Sequence, residues 1–129
     1  MFLHIQPNNG LAIYDQVVRQ VKFAVASGAV RTGEFIPSVR ELAKELAINP
    51  NTVSRAYRQL QDDGVLETVR GTGLAVAKGA AQLCKKQRRE LVGQRIREAL
   101  VEATRSQLTD DELRRLVERQ LNEVLREES

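Results

Sequence analysis

Asn51, Thr52, Ser54, Arg55 and Arg58 lie close together in the run INPNTVSRAYRQL, and no acidic residue separates them. If the run is helical, successive side chains turn by about 100°. Val53, Ala56, Tyr57 and Leu60 then fall in one apolar stripe. Asn51, Arg55, Arg58 and Asp62 lie opposite it, with Thr52, Ser54 and Gln59 at the flanks. Such an outward face has the chemistry of nucleic-acid readout. Arg bridges guanine O6 and N7, Asn bridges adenine N6 and N7, and Thr and Ser hydroxyls reach phosphates or base edges. The helix N-terminus would add its own N–H groups for a phosphate. Ordinary solvation is the plainer reading of any single polar face. Here, however, Arg40 upstream and Arg70 downstream join Arg55 and Arg58, so that basic groups come from three separate segments. Gly71 beside Arg70 would let a turn backbone approach a minor groove closely.

Other chemistry is thinly represented. The one histidine, His4, stands next to Ile5 in what reads as a short edge segment. Cys84 is the one cysteine, so no disulfide framework or cysteine metal site is expected. Its neighbours Lys85 and Lys86 would lower its pKa if they faced it, yet no histidine stands nearby to make a nucleophilic pair. Gly71-Thr72-Gly73 lacks the further glycine and the Lys-Ser/Thr of a phosphate loop. No carboxylate pair or ligand cluster stands out, so neither enzymatic activity nor a metal or cofactor is expected. The basic run Lys85–Arg89 reads as a solvated helix start, with flanking phosphates as its alternative partner.

The elements that must carry these residues follow from periodicity and punctuation. Ile13, Val17, Val18, Val21 and Val25, with Phe23 and Ala24 nearby, recur at helical spacing over 13–27, and Gly28 supplies a helix end. RTGEFIP reads as a turn-rich link. Ser38 and Glu41 form an S-x-x-E capping box for a short helix with Leu42, Ala43 and Leu46 inward, ending near Ala47. Asn49 serves as the next N-cap and Pro50 as N1, where its missing N–H costs nothing. The helix runs to about Asp62 and Gly64 stops it, giving a helix-turn-helix. VLETV, RGTG and LAVA then read as a hairpin, the wing.

From about residue 80 the chain is helical again. Leu83, Leu91, Val92, Ile96, Ala99, Leu100 and Ala103 mark one amphipathic helix. Thr109 and Glu112 cap a second, with Leu108 and Leu113 as its staple and a stripe of Leu113, Leu116, Val117, Leu121, Val124 and Leu125. Two such helices cannot bury both faces by themselves and need either the first domain or a second copy of the pair, of which the second copy is the expected partner. Leu91, Ile96, Leu100, Leu113, Val117, Leu121 and Val124 are the candidate dimerisation residues. The fold class expected is mostly α: a winged helix-turn-helix DNA-binding domain over 1–78, followed by a two-helix dimerisation domain over 79–129.

Composition agrees without deciding. The chain has 129 residues, 42% hydrophobic and 29% charged, which places it with globular proteins. Scarce aromatics and no tryptophan leave Leu, Val, Ile and Ala to build a mainly helical core. No apolar run is long enough to cross a membrane, and the N-terminus MFLHIQPNNG lacks a basic and an apolar signal region. A cytoplasmic location with no membrane partner is expected. The net charge of +3 is too small to identify a partner, so local placement of charge has to.

The segment IPSVRELAKELAINPNTVSRAYRQLQDDGVLETVRGTGLAVA resembles the winged-helix domain of the GntR family of bacterial transcription regulators. IYDQVVRQVKFAVASGAVRTGEFIPSVREL fits the family's first helix and its turn, and N-P-N-T-V-x-R-A-Y is similar to the YtrA-type branch. The resemblance covers residues 1–78, and the tail fits that branch's short two-helix dimerisation domain. It implies that Arg40 contacts DNA, that Asn49, Asn51 and Thr52 are polar N-terminal residues of a recognition helix, and that Arg70 and Gly71 enter the minor groove. Pro50 and Ser54 stand where arginines are common in better-known branches, and Leu74-Ala75 where an aromatic often follows the glycines. Arg55 and Arg58 join the DNA-facing set from helix geometry alone.

The expected function is therefore a dimeric, sequence-specific repressor of a palindromic double-stranded operator, acting on the bacterial nucleoid. The branch implies a transporter-type operon. A small-molecule effector would need a pocket between subunits, because so short a tail leaves little room for one of several hundred Å3. Two other readings compete: a protein-interaction module, and an architectural DNA binder without an operator. A steep loss of affinity with salt separates DNA binding from the first. A specificity ratio near one between selected and random duplexes identifies the second.

Overall fold

A computed structural model describes residues 3–7 and 10–129. It contains α1 (Ile13–Ser27), α2 (Val39–Leu46), α3 (Pro50–Asp62), β1 (Leu66–Val69), β2 (Gly73–Val76), α4 (Ala80–Thr104) and α5 (Asp110–Glu128). The chain forms two compact units, Met1–Arg89 and Glu90–Ser129, which divide inside α4.

In the first unit the core is aliphatic. Val17, Val21 and Val25 of α1 pack with Leu42 of α2, with Val53, Ala56, Tyr57 and Leu60 of α3, and with Val65 and Val76 around the hairpin. Removing these branched side chains from water, at about 25 cal/mol per Å2, supplies the main driving force for the unit. Phe23 does not join them. It is 52% exposed, and the Arg88 guanidinium lies over its ring at 4.8 Å.

The local signals operate as their chemistry requires. Ser38 Oγ accepts the Glu41 N–H while the Glu41 carboxylate accepts the Ser38 N–H, closing the capping box. Between α2 and α3 the backbone turns at Ala47, whose φ of 56° and ψ of 46° are left-handed. β1 and β2 pair antiparallel from Leu66 opposite Val76 to Val69 opposite Gly73. Arg70, Gly71 and Thr72 form the connection, with Gly71 at φ 78°.

Two features of this unit lie outside the sequence reading. The RTGEFIP link is more than a turn: Phe35 bridges Ala75, the Gly33 and Ile36 N–H groups donate to Val76 and Leu74, and the Val76 N–H donates to Glu34. The wing hairpin is thereby stitched to the chain that precedes α2. The segment around His4 is held by two α1 amides. Gln20 pairs with both the N–H and the C=O of His4, and Gln16 does the same for Gln6. Residues four apart on a helix are about 6 Å apart along its axis, close to two residues of extended chain, so the two glutamines act as a substitute strand edge.

The second unit is built differently. α5 has the expected capping box, with Thr109 Oγ1 accepting the Glu112 N–H and Glu112 returning to the Thr109 N–H. α4 departs from a single amphipathic stripe. Its buried residues, Ala80 and Cys84, share a phase with Gln87 and Leu91, whereas Val92, Ile96, Ala99 and Ala103 form a second stripe. At 3.6 residues per turn the two stripes are offset by about 120°. The change of face falls within the same few residues as the division between the units.

Candidate nucleic-acid interface

α3 carries the candidate readers, and its orientation is fixed from three sides. On the α1 side, Lys22 Nζ lies 2.7 Å from Asp63 Oδ2 at the C-cap of α3. Toward α2, the Tyr57 hydroxyl donates to the Pro37 carbonyl at 2.8 Å. Toward the wing, Gln61 Nε2 donates to Thr68 Oγ1 of β1 at 3.1 Å. Val53, Ala56, Tyr57 and Leu60 are buried beneath, so a rotation of α3 about its axis would break both the apolar and the polar contacts.

On the outward side, Asn51, Arg55 and Arg58 are exposed, and Thr52 and Ser54 are half-buried at the flanks. Arg40 is exposed in the first turn of α2, and Arg70 and Gly71 are exposed at the tip of the wing. Both α2 and β1 pack on α3, so the three basic elements belong to one framework. Asp62 is exposed in the last turn of α3.

The N-terminus of α3 differs from the expectation of spare donors. Pro50 has no N–H, and the Asn51 N–H donates to Asn49 Oδ1 at 2.8 Å. The Thr52 and Val53 N–H groups both donate to the Asn49 carbonyl, at 3.0 and 3.3 Å. The first turn therefore offers a dipole but no uncommitted backbone N–H as far as Val53, because Asn49 uses both of its oxygens as acceptors there. What it presents to an anion is side chain: the Asn49 amide N–H2, Asn51 and the Thr52 hydroxyl.

Arg55 has an unforeseen partner. Its guanidinium carbon stands 3.7 Å from the centroid of the Tyr14 ring on α1. A helical wheel shows that Arg55 points outward but carries no information on which neighbouring helix reaches it, so this contact was hidden.

Cys84 is buried, and its charged neighbours are not the ones adjacent in sequence. It is 2% exposed, and burial pushes its thiol pKa up. The cation that opposes this is Lys22, not Lys85 or Lys86, and the Asp63 carboxylate beside it acts in the opposite direction. A buried thiol with a raised pKa is a packing group, not a nucleophile. Among the described residues no group of histidine, cysteine and carboxylate side chains could hold a metal ion, and no helix is long and apolar enough to cross a membrane.

Comparison with known proteins bears directly on this arrangement. Residues 13–76, from the first residue of α1 to the last of β2, match the family described as bacterial regulatory proteins, gntR family. The HTH-type transcriptional repressor YtrA of Bacillus subtilis is 33% identical over 101 residues, which is 78% of each chain. The chain belongs to the GntR family. Members of this family act by binding DNA, so this GntR-family chain is a DNA-binding transcription regulator with a winged helix-turn-helix and not an enzyme. Among solved structures, a transcriptional regulator from Oenococcus oeni matches with a TM-score of 0.79 and 27% identity, over 93% of this chain and 99% of that one. The DNA-binding domain of AraR, in complex with operator ORE1, matches with a TM-score of 0.50 and 25% identity, over 60% of this chain and 94% of that one.

Proposed function

We propose that this GntR-family regulator is a dimeric, sequence-specific repressor that inserts α3 into the major groove and the β1–β2 wing into the minor groove of a palindromic operator. The observation that carries the reading is the outward face of α3, where Asn51, Arg55 and Arg58 are exposed on a helix braced from three sides. A rigid helix with Asn, Thr and Arg outward can place bidentate donors against base edges without first ordering its backbone. In this reading Arg40 holds the phosphate backbone, and Asn49, Asn51, Thr52, Ser54, Arg55 and Arg58 line the groove. Arg70 and Gly71 reach the minor groove.

The dimer is supported by the second unit. Leu91, Ile96, Leu100, Val117, Leu121 and Val124 are all exposed, and Leu113 is half-buried. Apolar surface on this scale, on helices that are regular and well capped, calls for a partner surface, and a second copy gives a self-complementary one. Two-fold symmetry then requires an inverted repeat with half-site centres one or two duplex turns apart, about 34–36 Å per turn. Likeness to the YtrA-type branch supports a repressor of a transporter-type operon. An effector, if the regulator uses one, would bind between the two tails.

The test is selection of bound duplexes from a random pool, followed by footprinting of the selected site. An inverted repeat protected on one face of the duplex is expected. Recovery of no enriched sequence, with affinity uniform across random duplexes, would overturn the operator reading in favour of architectural binding.

A further inference from the structure

We propose that Tyr14 is a positioning residue for DNA recognition: its ring holds the Arg55 guanidinium flat, so that the in-plane N–H donors are set before DNA arrives. The inference rests on the reading of α3 as the DNA-facing helix and adds to it a residue of α1.

The distance fixes the geometry. With Cζ 3.7 Å from the ring centroid, there is no room for an N–H group between the guanidinium carbon and the ring. An edge-on guanidinium would place a nitrogen there and move Cζ outward by about a C–N bond length, roughly 1.3 Å. The guanidinium plane therefore lies along the ring face. This stacking uses the π surface of the cation and leaves its five N–H donors in the free plane. Arg88 over Phe23, at 4.8 Å, lacks this close registration.

Among the described residues Arg55 makes no hydrogen bond and no ion pair, and the ion pair present joins Lys22 to Asp63. Arg55 shares its lack of a carboxylate partner with the other described arginines, and what sets it apart is the close aromatic face, which neutralises no charge. A full positive charge and a fixed donor edge remain for a phosphate or a guanine edge.

The ring is itself held in register. Tyr14 is half-buried in the first turn of α1, and Lys22, eight residues further along α1, meets Asp63, eight residues beyond Arg55 at the C-cap of α3. Two contacts with the same spacing on both helices fix α1 against α3 along about 12 Å. The stack biases a long arginine side chain toward one rotamer, so that less rotamer freedom is lost on binding.

The test is a double-mutant cycle on a selected duplex, with folding checked by circular dichroism for each variant. Tyr14→Leu removes the π face and keeps apolar bulk, and Tyr14→Phe keeps the π face and removes the hydroxyl. Tyr14→Leu is expected to weaken binding by about 2- to 5-fold, with Tyr14→Phe close to wild type. In an Arg55→Ala background, Tyr14→Leu is expected to have little further effect. If Tyr14→Leu binds as wild type, or costs the same with and without Arg55, the proposal is overturned. If Arg58→Ala weakens binding and Arg55→Ala does not, the DNA-facing reading of α3 stands and this proposal alone falls. If none of Arg40→Ala, Arg55→Ala and Arg58→Ala changes binding, the reading of the interface fails and the proposal with it.

Discussion

Lys22 of α1 reaches the C-cap of α3, where its Nζ lies 2.7 Å from Asp63 Oδ2. Asp63 also accepts from Gln59 Nε2 at 2.9 Å, so the carboxylate sits in a small network and not in an isolated surface pair. Both side chains are about a quarter exposed, 24% and 25%, which leaves them less screened than a surface pair. Lys22→Met keeps the aliphatic stem and removes the charge. It is expected to lower stability by about 1 kcal/mol, and less at high salt. Urea denaturation of wild type, Lys22→Met, Asp63→Asn and the double variant measures the coupling, and a coupling of zero would show that the pair contributes nothing.

Tyr57 gives the fold an alkaline limit. Its burial, followed by the charges of Glu41 and Glu45, raises the phenol pKa well above its usual value of about 10. The sign follows from the neutral form being the one the fold keeps. The contribution is fully present below pH of about 10 and is lost as pH rises toward the folded-state value. Tyr57→Phe forfeits the hydrogen bond to Pro37, at a cost of about 1 kcal/mol at neutral pH. It should also flatten the loss of stability in alkali. Denaturation midpoints of both proteins between pH 8 and about 11 decide this, and parallel curves would contradict it.

The Cys84 thiol offers a direct measure of burial. Its side chain packs in the core at the start of α4, and burial raises its pKa, so little thiolate is available at pH 8. Labelling by a thiol reagent is expected to be slower in the native protein than in urea by at least about tenfold. Fast labelling under native conditions would mean that the first turns of α4 open readily.

Sequence legibility tracked the range of the interaction. The Ser38–Glu41 and Thr109–Glu112 boxes and the Asn49 cap each satisfy a backbone group within three residues, and Pro50 at N1 simply has no N–H to satisfy, so residue type and spacing are enough. The inward stripe of α3 was legible for the same reason. Contacts between distant residues were not. Lys22 and Asp63 are 41 residues apart, and neither residue type marks the other. The pairing of Phe35 with β2 was hidden because Gly33 and Pro37 leave too few residues between them for any alternation to show. Gln16 and Gln20 read as ordinary polar positions, although Gln16 is only 3% exposed and supplies the backbone partners that the N-terminal segment lacks. α4 departs from the expected single stripe for another reason: its apolar residues fall into two phases, and a count of apolar residues alone does not separate them.

Ala47 marks a place where the sequence works against its own backbone. It adopts φ 56° in the turn between α2 and α3, and a left-handed residue with a Cβ costs about 1–2 kcal/mol. Glycine would remove that cost and give back about 0.4–1 kcal/mol through the greater freedom of the unfolded chain. Since the Ala47 side chain is exposed, no packing is lost. Ala47→Gly is therefore expected to stabilise the protein by about 0.5–1 kcal/mol, with the turn angle and DNA affinity unchanged. A lower midpoint in urea would mean that the turn is held by something other than local geometry.

The apolar faces of the second unit make the last expectation the most consequential for function. Leu121 is 54% exposed on α5, in phase with Leu113, Val117 and Val124. If two copies bury this face against each other, Leu121→Glu must place a carboxylate in an apolar interface that offers it no partner. Such a charge costs several kcal/mol, enough to raise the dimer dissociation constant by about 100-fold or more. The monomer should keep its fold, because Leu121 contributes nothing to the core of the first unit. Sedimentation would then show a single-subunit species at concentrations where wild type is dimeric. Binding to a selected inverted repeat should fall to the level of one half-site, because the second contact no longer follows at high effective concentration. Unchanged sedimentation with unchanged DNA binding would place the dimer interface elsewhere on the chain.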